Sequence, residues 1–531
     1  MPKIDKKVLI LITIIAITAF LRLWKLNAVP PGLYPDVAIN GNDALFSLQN
    51  KNFKVFYPEN NGREGFFIWA IAFAFALLGP SVLAIKITTA FFGILTVYGT
   101  YLLAKELFKE SQNISNETLG LLSAFFLAFS FCHINFSRIG FRAITVPFIL
   151  VFCFYFLLRG FKEKNYLFTI IAGSLFGLGF YTYIGFRTAV LILCFALFVF
   201  WIIEKKRFST KFLSFAALLF VSITIVSLPI VIHFINHSND FSSRAMGISI
   251  FTNENPFRAL VTSSIAHLAM FGIYGDPNWR HNLPTTPLLS PGLAILFIIS
   301  IVFSIKKIIS SHKNGLLSDT GALFSFPYIF LLIWIFAMIL PGVLTIEGIP
   351  HFLRTIGVIP AVYILTAVGA IKSYHWLYEN SPRKKLFIGV CAFFLVAVAI
   401  NPINQYFILW GKSAEVNDAF SVGLTKIGAY LNSLPDNINS YVITNISGVP
   451  VPFPDGLSVA AQTPLFIENS MFGKPRAVYL SPDKIEMIIT AGKTVIIPLA
   501  YQESLFQELK ERFPSGQIQE ENGIFVYKIN Y

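Results

Sequence analysis

The stretch Val8–Trp24, VLILITIIAITAFLRLW, is an apolar run set behind Lys3, Lys6 and Lys7 and closed by Arg22, Trp24 and Lys25. A cleavable leader would end at a small-x-small site, and this run ends in arginine, tryptophan and lysine instead. It reads as a retained transmembrane helix. One helical crossing needs about 17 to 25 apolar residues, and the same texture recurs near 84–103, 119–135, 143–158, 166–183, 187–203, 212–235, 290–305, 321–340, 355–371 and 386–400. With the first run near 8–26, that predicts an α-helical polytopic membrane protein with about eleven crossings.

The composition agrees. Of 531 residues 55% are hydrophobic and only 13% charged, with a mean hydropathy of +0.66. A soluble domain carries about 25% charged residues, so lipid must be the solvent for most of this chain. The net charge of +13 does not indicate nucleic acid, because the basic residues fall in short clusters between apolar runs and not along one face. Cys132, Cys153, Cys194 and Cys391 all lie inside apolar runs, so no disulfide framework is implied.

Basic residues near helix ends resist translocation. Lys105 and Lys109; Arg159, Lys162 and Lys164; Lys205, Lys206, Arg207 and Lys211; Lys306, Lys307 and Lys313; and Lys372, Arg383, Lys384 and Lys385 all fall on the side of the N-terminus. The expectation is a protein of the cell membrane with a cytoplasmic N-terminus. The segments 27–83, 136–142, 236–289 and 341–354, and all that follows Ile400, are then outside. Phe66 to Gly79 is too short for a crossing and is expected to lie in the interface. The Asn-x-Ser/Thr matches at Asn113 and Asn116 fall in a cytoplasmic loop and are read as chance.

From about Asn401 the texture changes to short alternating segments. Ser440–Thr444, Ala477–Leu480, Thr494–Pro498 and Ile524–Ile529 read as strands and Gln502–Phe513 as an amphipathic helix. The expected organisation is a membrane catalytic module over 1–400, with an outer loop at 27–83, followed by a small outer α/β domain over 401–531.

Chemistry-bearing residues concentrate in the outer segments. The first reads Pro30-Pro-Gly-Leu-Tyr-Pro-Asp36-Val-Ala-Ile-Asn-Gly-Asn-Asp43, and later Arg63-Glu64-Gly65. Unpaired charge is costly beside a membrane, which makes Asp36, Asp43, Arg63 and Glu64 candidates, although hydrated turns use the same residues. Gly275-Asp276-Pro-Asn-Trp-Arg280-His281-Asn282 and Pro350-His351-Phe-Leu-Arg354 are two further clusters of donors and charges. Arg138 and Arg142 stand at another outer helix end. A guanidinium suits a phosphate because it binds two oxygens at once; the plainer reading of each arginine is a snorkelling anchor.

A first crossing, then a Pro-Pro-Gly-Leu-Tyr-x-Asp loop, then an apolar helix after a charged pair resembles the protein O-mannosyltransferase and aminoarabinose transferase group of GT-C fold enzymes. The Gly-Asp-x-x-x-Arg-His-Asn and Pro-His-x-Leu-Arg stretches resemble bacterial carrier-lipid-dependent glycosyltransferases. The likeness spans about 8–400. It implies transfer of a sugar from a polyprenyl-phosphate carrier to a protein, lipid or glycan acceptor on the outer face, with inversion. Asp36 matches the family's catalytic base, although Asp36-Val37 stands where many members have Asp-Glu. Glu64 is the second acidic candidate. Asp43, Arg63, Arg138, Arg142, Asp276, Arg280, His281, Asn282, His351 and Arg354 are expected to bind substrate, with Arg138 and Arg354 first in line for the phosphate. A divalent metal is compatible with His281 and His351 but not required.

Two other readings share these features. A lipid-linked sugar transporter or flippase would show inverted repeats, and none is seen. An O-antigen-type ligase or polymerase uses similar carriers and stays open at this point.

Overall fold

The computed structural model describes residues 5–111, 114–204, 209–313, 319–447 and 456–531; Lys3, Asn113, Lys205, Lys206 and Arg207 lie outside them. Among the described residues eight helices are long and apolar enough to cross a membrane: Val82–Leu107, Arg142–Lys162, Ile184–Ile203, Thr210–Asn236, Pro291–Ser310, Ser325–Val343, Phe352–Asn380 and Lys384–Trp410. They account for eight of the expected crossings, and the protein is a multi-pass membrane protein. The three remaining apolar runs are helical too. Lys6–Leu23 carries three basic residues, while Asn116–Ala128 and Tyr166–Gly179 are short, at 13 and 14 residues.

The expected single span 119–135 is in fact broken. The first helix stops at Ala128, and Ser130 caps a second, Phe131–Phe136, by accepting from the backbone N–H of His133. A serine side chain that satisfies one of the orphan amides of a new helix makes a restart cheaper than continuation. The short Tyr166–Gly179 helix packs closely on Thr210–Asn236 because Gly173 and Gly177 face it. A Cβ at those positions would come within 2.6 Å of the Leu219 carbonyl and 2.8 Å of the Ile223 carbonyl. Small residues four apart let two backbones approach, which is how helices gain contact where lipid offers no hydrophobic drive.

The chain divides into two compact units: Met1–Trp24 with Thr89–Gly411, and Lys25–Thr88 with Lys412–Tyr531. This differs from a break at 400. The last long helix continues past Asn404 through a π-helical stretch, Gln405–Trp410, and the segment expected to be an outer loop of the membrane module groups with the C-terminal region.

That second unit is built on a mixed five-stranded sheet. Its strand order is Val478–Leu480, Asn439–Ile443, Thr494–Pro498, Ile524–Ile529 and Gln517–Glu521. The first three strands are parallel and the last two join antiparallel. Val442, Val495, Ile497 and Val526 pack against the Val422–Ser433 helix, while Ile443, Ile496 and Tyr527 pack against Glu503–Arg512. Four strands and one helix match the sequence expectation to within about a residue. The edge strand Gln517–Glu521 was not expected, because it is exposed nearly throughout and shows no apolar alternation.

Residues 27–83 are mostly structured and not a loop. Pro35–Asn50 is a helix, Phe56–Tyr57 pairs with Arg63–Glu64, and Phe66–Leu78 is a second helix of 13 residues. At 1.5 Å per residue the latter is about 20 Å long, short of the ~30 Å hydrocarbon core. Phe75 stacks on Phe466, and Gly41 lies so close to the C-terminal region that a Cβ there would sit 2.6 Å from the Phe466 ring. Asn42 donates to the Gln462 side chain at 3.0 Å and accepts from Asn469 at 2.9 Å, while Thr463 Oγ1 donates to the Leu33 carbonyl. These buried amides bond to one another, so the segment is fixed to the helix Gln462–Phe472 by hydrogen bonds as well as by packing.

Candidate active site

The candidate residues fall into two groups, one in each unit. In the first, the helix Pro35–Asn50 begins with Pro35 at its first position, where the missing N–H costs nothing. Asp36, Asn40 and Asp43 then follow at spacings of four and three and share one face. The turn that joins the two short strands reaches over this face. Asn60 Nδ2 donates to Asp36 Oδ1 at 2.9 Å, and Arg63 Nη1 donates to Asn40 Oδ1 at 3.0 Å. Arg63 also meets Asp43 Oδ2 at 2.6 Å and Glu59 Oε2 at 3.7 Å, and its Nε donates to the Glu59 carbonyl. The Arg63 side chain is 1% exposed. Its charge is therefore matched inside the protein. Glu64 is buried in the same short ladder, whereas Asp36 is partly open to solvent.

At the base of this region Lys86, near the start of a membrane helix, donates to the carbonyls of Leu26 and Pro30 at 3.3 and 2.8 Å. It ties down the chain that leads into the Pro-Pro-Gly turn. A lone lysine in an apolar run was the signal for it, since such a residue is expected to find carbonyl partners.

The second group gathers Asp276, Arg280, His281 and Asn282 from one loop and His351 and Arg354 from the entry to the Phe352–Asn380 helix. Asp276 is the hub. Its Oδ1 accepts from the Asn278 N–H at 2.8 Å, and its Oδ2 accepts from the Phe352 N–H at 2.8 Å and meets His281 Nδ1 at 2.9 Å. Asn282 Nδ2 donates to the carbonyls of Asp276 and Thr286, closing the loop on itself. The rings of Phe136 and Phe141 flank His281 at 5.7 and 6.2 Å, and Asn135 Nδ2 donates to the Arg280 carbonyl at 2.8 Å. The 131–142 region therefore packs on this group. Arg142 lies over the Tyr183 ring.

Arg354 points its guanidinium at the Thr345 hydroxyl (2.6 Å), the Glu347 carbonyl (2.9 Å) and the Glu347 carboxylate (2.7 Å). The Glu347 side chain is 69% exposed. A pair with one partner in water is exchangeable, so Arg354 is preorganised yet able to trade its carboxylate for another anion.

Arg138 differs. It is fully buried and donates to the carbonyls of Leu21 and Trp24, each at 2.8 Å, with the rings of Tyr406 and Phe407 on its face. Those carbonyls end the first helix, Lys6–Leu23. Beside it Arg22, also fully buried, meets His133 Nδ1 at 2.7 Å and donates to the Ala128 carbonyl. Arg22 reads from sequence only as the end of a helix, although an ionisable residue inside an apolar run is itself the signal for such a buried contact. Asn60, His267 and Glu347 were missed as well; each is an ordinary polar residue that only the fold brings to its partner.

Residues 66–232 match the family of dolichyl-phosphate-mannose-protein mannosyltransferases. ArnT from Cupriavidus metallidurans bound to undecaprenyl phosphate superimposes with a TM-score of 0.57 over 98% of this chain and 97% of that chain, at 12% identity. The chain thus has the GT-C glycosyltransferase fold that the O-mannosyltransferase and ArnT group shares. The apo state of the same ArnT gives 0.56 at 11% identity, with the same coverage of both chains. AglB from Archaeoglobus fulgidus, in complex with an inhibitory peptide and a dolichol-phosphate, gives 0.50 at 15% identity over 98% of this chain and 74% of that one. No curated protein sequence matches the chain.

Proposed function

We propose that this protein is a polyprenyl-phosphate-dependent glycosyltransferase that moves a sugar from its lipid carrier to an acceptor on the outer face of the membrane. The family match and the likeness to ArnT over the full length of both chains support the reaction class. The observation that carries the residue assignment is the contrast between Asp36 and its neighbours. Asp43 spends its charge on Arg63 and Glu64 is buried, whereas Asp36 is partly open and is held through Oδ1 by a neutral amide.

Asp36 takes the proton of an acceptor hydroxyl as that oxygen forms its bond to the anomeric carbon. The bond from that carbon to the carrier phosphate breaks, and the phosphate leaves with the electron pair. One displacement inverts the anomeric centre. A guanidinium can hold the carrier phosphate in the bound donor and as it leaves, and Arg354 is the residue assigned to this role. Arg63 and Glu64 act behind Asp36 as positioning residues, and Arg138 anchors the first helix. The acceptor is a protein, lipid or glycan. Mass spectrometry of lipid-linked sugars and outer-surface glycans in cells with and without the protein tests the proposal. A carrier-linked sugar that accumulates while one glycan disappears is the expected result; unchanged pools of both contradict it.

A further inference from the structure

Asp276, His281 and His351 present one oxygen and two ring nitrogens that all lie within 4.8 Å of one another, and all three residues are buried. His281 Nδ1 is 2.9 Å and His351 Nδ1 4.0 Å from the same oxygen, Asp276 Oδ2. The two imidazole rings are 4.7 Å apart. Around them the backbone is fixed. The N–H groups of Asn278 and Phe352 orient the carboxylate, and the N–H of His351 donates to His267 Nε2 at 3.2 Å. Because His267 Nδ1 lies 2.8 Å from the Ser263 carbonyl, that nitrogen carries the proton and Nε2 is the acceptor. His267 therefore holds the third ligand's backbone in place from behind.

A second observation separates a hydrogen-bonded cluster from a site for an ion. His351 is 8% exposed, and its Nδ1, which faces the carboxylate, has no hydrogen-bond partner among the described residues. A buried nitrogen is normally satisfied. We propose that Asp276, His281 and His351 bind one divalent transition ion of the zinc type. Two imidazoles and one carboxylate are the donor set such an ion takes, whereas magnesium and calcium prefer oxygen alone. Ligand atoms on a tetrahedral zinc are about 3.3 Å apart at bond lengths of 2.0 to 2.1 Å. The two separations here, 2.9 and 4.0 Å, bracket that value, so small side-chain rotations close the site. Three protein ligands leave one position for water or an anionic oxygen. The ion joins the 275–290 loop to the start of the Phe352–Asn380 helix.

The inference is independent of the transfer reaction, and its test reads the ion directly. Full-length protein purified in detergent on a tag without histidine is dialysed with micromolar zinc, then against metal-free buffer, and its metal content is measured by mass spectrometry. Near one equivalent is expected in the unaltered protein, and little or none in His351→Ala and His281→Ala, each of which removes one of three ligands. His375→Ala, an exposed histidine far along the chain, retains the equivalent. Cobalt in place of zinc gives a visible ligand-field band in the parent that His351→Gln, a milder change, abolishes while the protein still elutes as a single species. Metal-free parent protein after zinc loading overturns the proposal, and so does an undiminished equivalent in folded His351→Gln or an equal loss in His375→Ala.

Discussion

Arg63 and Asp43 meet at 2.6 Å, with the arginine side chain 1% exposed and the carboxylate 21% exposed. This pair binds the turn at 58–63 to the helix that begins at Pro35. Arg63→Met leaves Asp43 and Glu59 facing each other's charge without compensation. Loss of one partner of a buried pair is expected to destabilise the protein by about 3 kcal/mol, because the acids are partly exposed and lie at the lower end of the range for such changes. Thermal unfolding in detergent measures it. A variant that unfolds at the parent temperature but has lost donor affinity would return Arg63 to substrate binding.

The two arginines first expected at the phosphate separate by readout. Arg138→Ala removes two charge-assisted hydrogen bonds to the carbonyls of Leu21 and Trp24, so it should lower folded yield and thermal stability, and Arg138→Lys should not fully restore them. Arg354→Ala should leave folding near normal and raise the donor KM about 10- to 150-fold, the equivalent of roughly 1.5 to 3 kcal/mol for a charged hydrogen bond. A normal donor KM in Arg354→Ala removes the phosphate role from that residue.

Gly41→Leu tests whether the Pro35–Asn50 helix must lie against Gln462–Phe472. Even a Cβ would sit 2.6 Å from the Phe466 ring and 2.8 Å from the Ile85 side chain. Overpacking of this kind typically costs about 1 to 3 kcal/mol, and it would shift the helix that carries Asp36, so turnover should fall along with stability. Proteolysis and activity measured on the same sample check both.

Orientation follows from the basic-loop bias alone. A reporter fused after Tyr531 that works only outside the cytoplasm should be active, and a reporter that works only in the cytoplasm should be silent there. Activity of the second reporter would reverse the topology.

The membrane helices were legible because lipid forces long apolar runs, and the sheet strands because burial forces Val442, Ile496 and Val526 inward. The helix at Pro35–Asn50 was not legible. Asn40-Gly41-Asn42 reads as a turn, and what keeps it helical is packing and hydrogen bonding to Gln462 and Asn469, some 420 residues away. Asp36 was found as a residue, but its place in a first turn was not. The partners of Arg138, the carbonyls of Leu21 and Trp24, were not legible, because sequence gives a guanidinium's position along the chain and not the carbonyls within its reach. The Asp276, His281 and His351 grouping joins a five-residue spacing to a residue about 70 positions on, a pattern with no local period to betray it.

The central claim rests on Asp36 as the base. Purified protein given a labelled polyprenyl-phosphate monosaccharide and an acceptor should release free carrier phosphate, and Asp36→Asn is the variant to compare. It keeps the side chain's size and can still pair with Asn60, but it cannot take a proton. General-base assistance is worth about 10² to 10⁴-fold in rate, so turnover at saturating donor should fall by that factor while folding and donor binding persist. Near-normal turnover in folded Asp36→Asn, or a larger loss in Glu64→Gln at equal stability, would contradict the assignment.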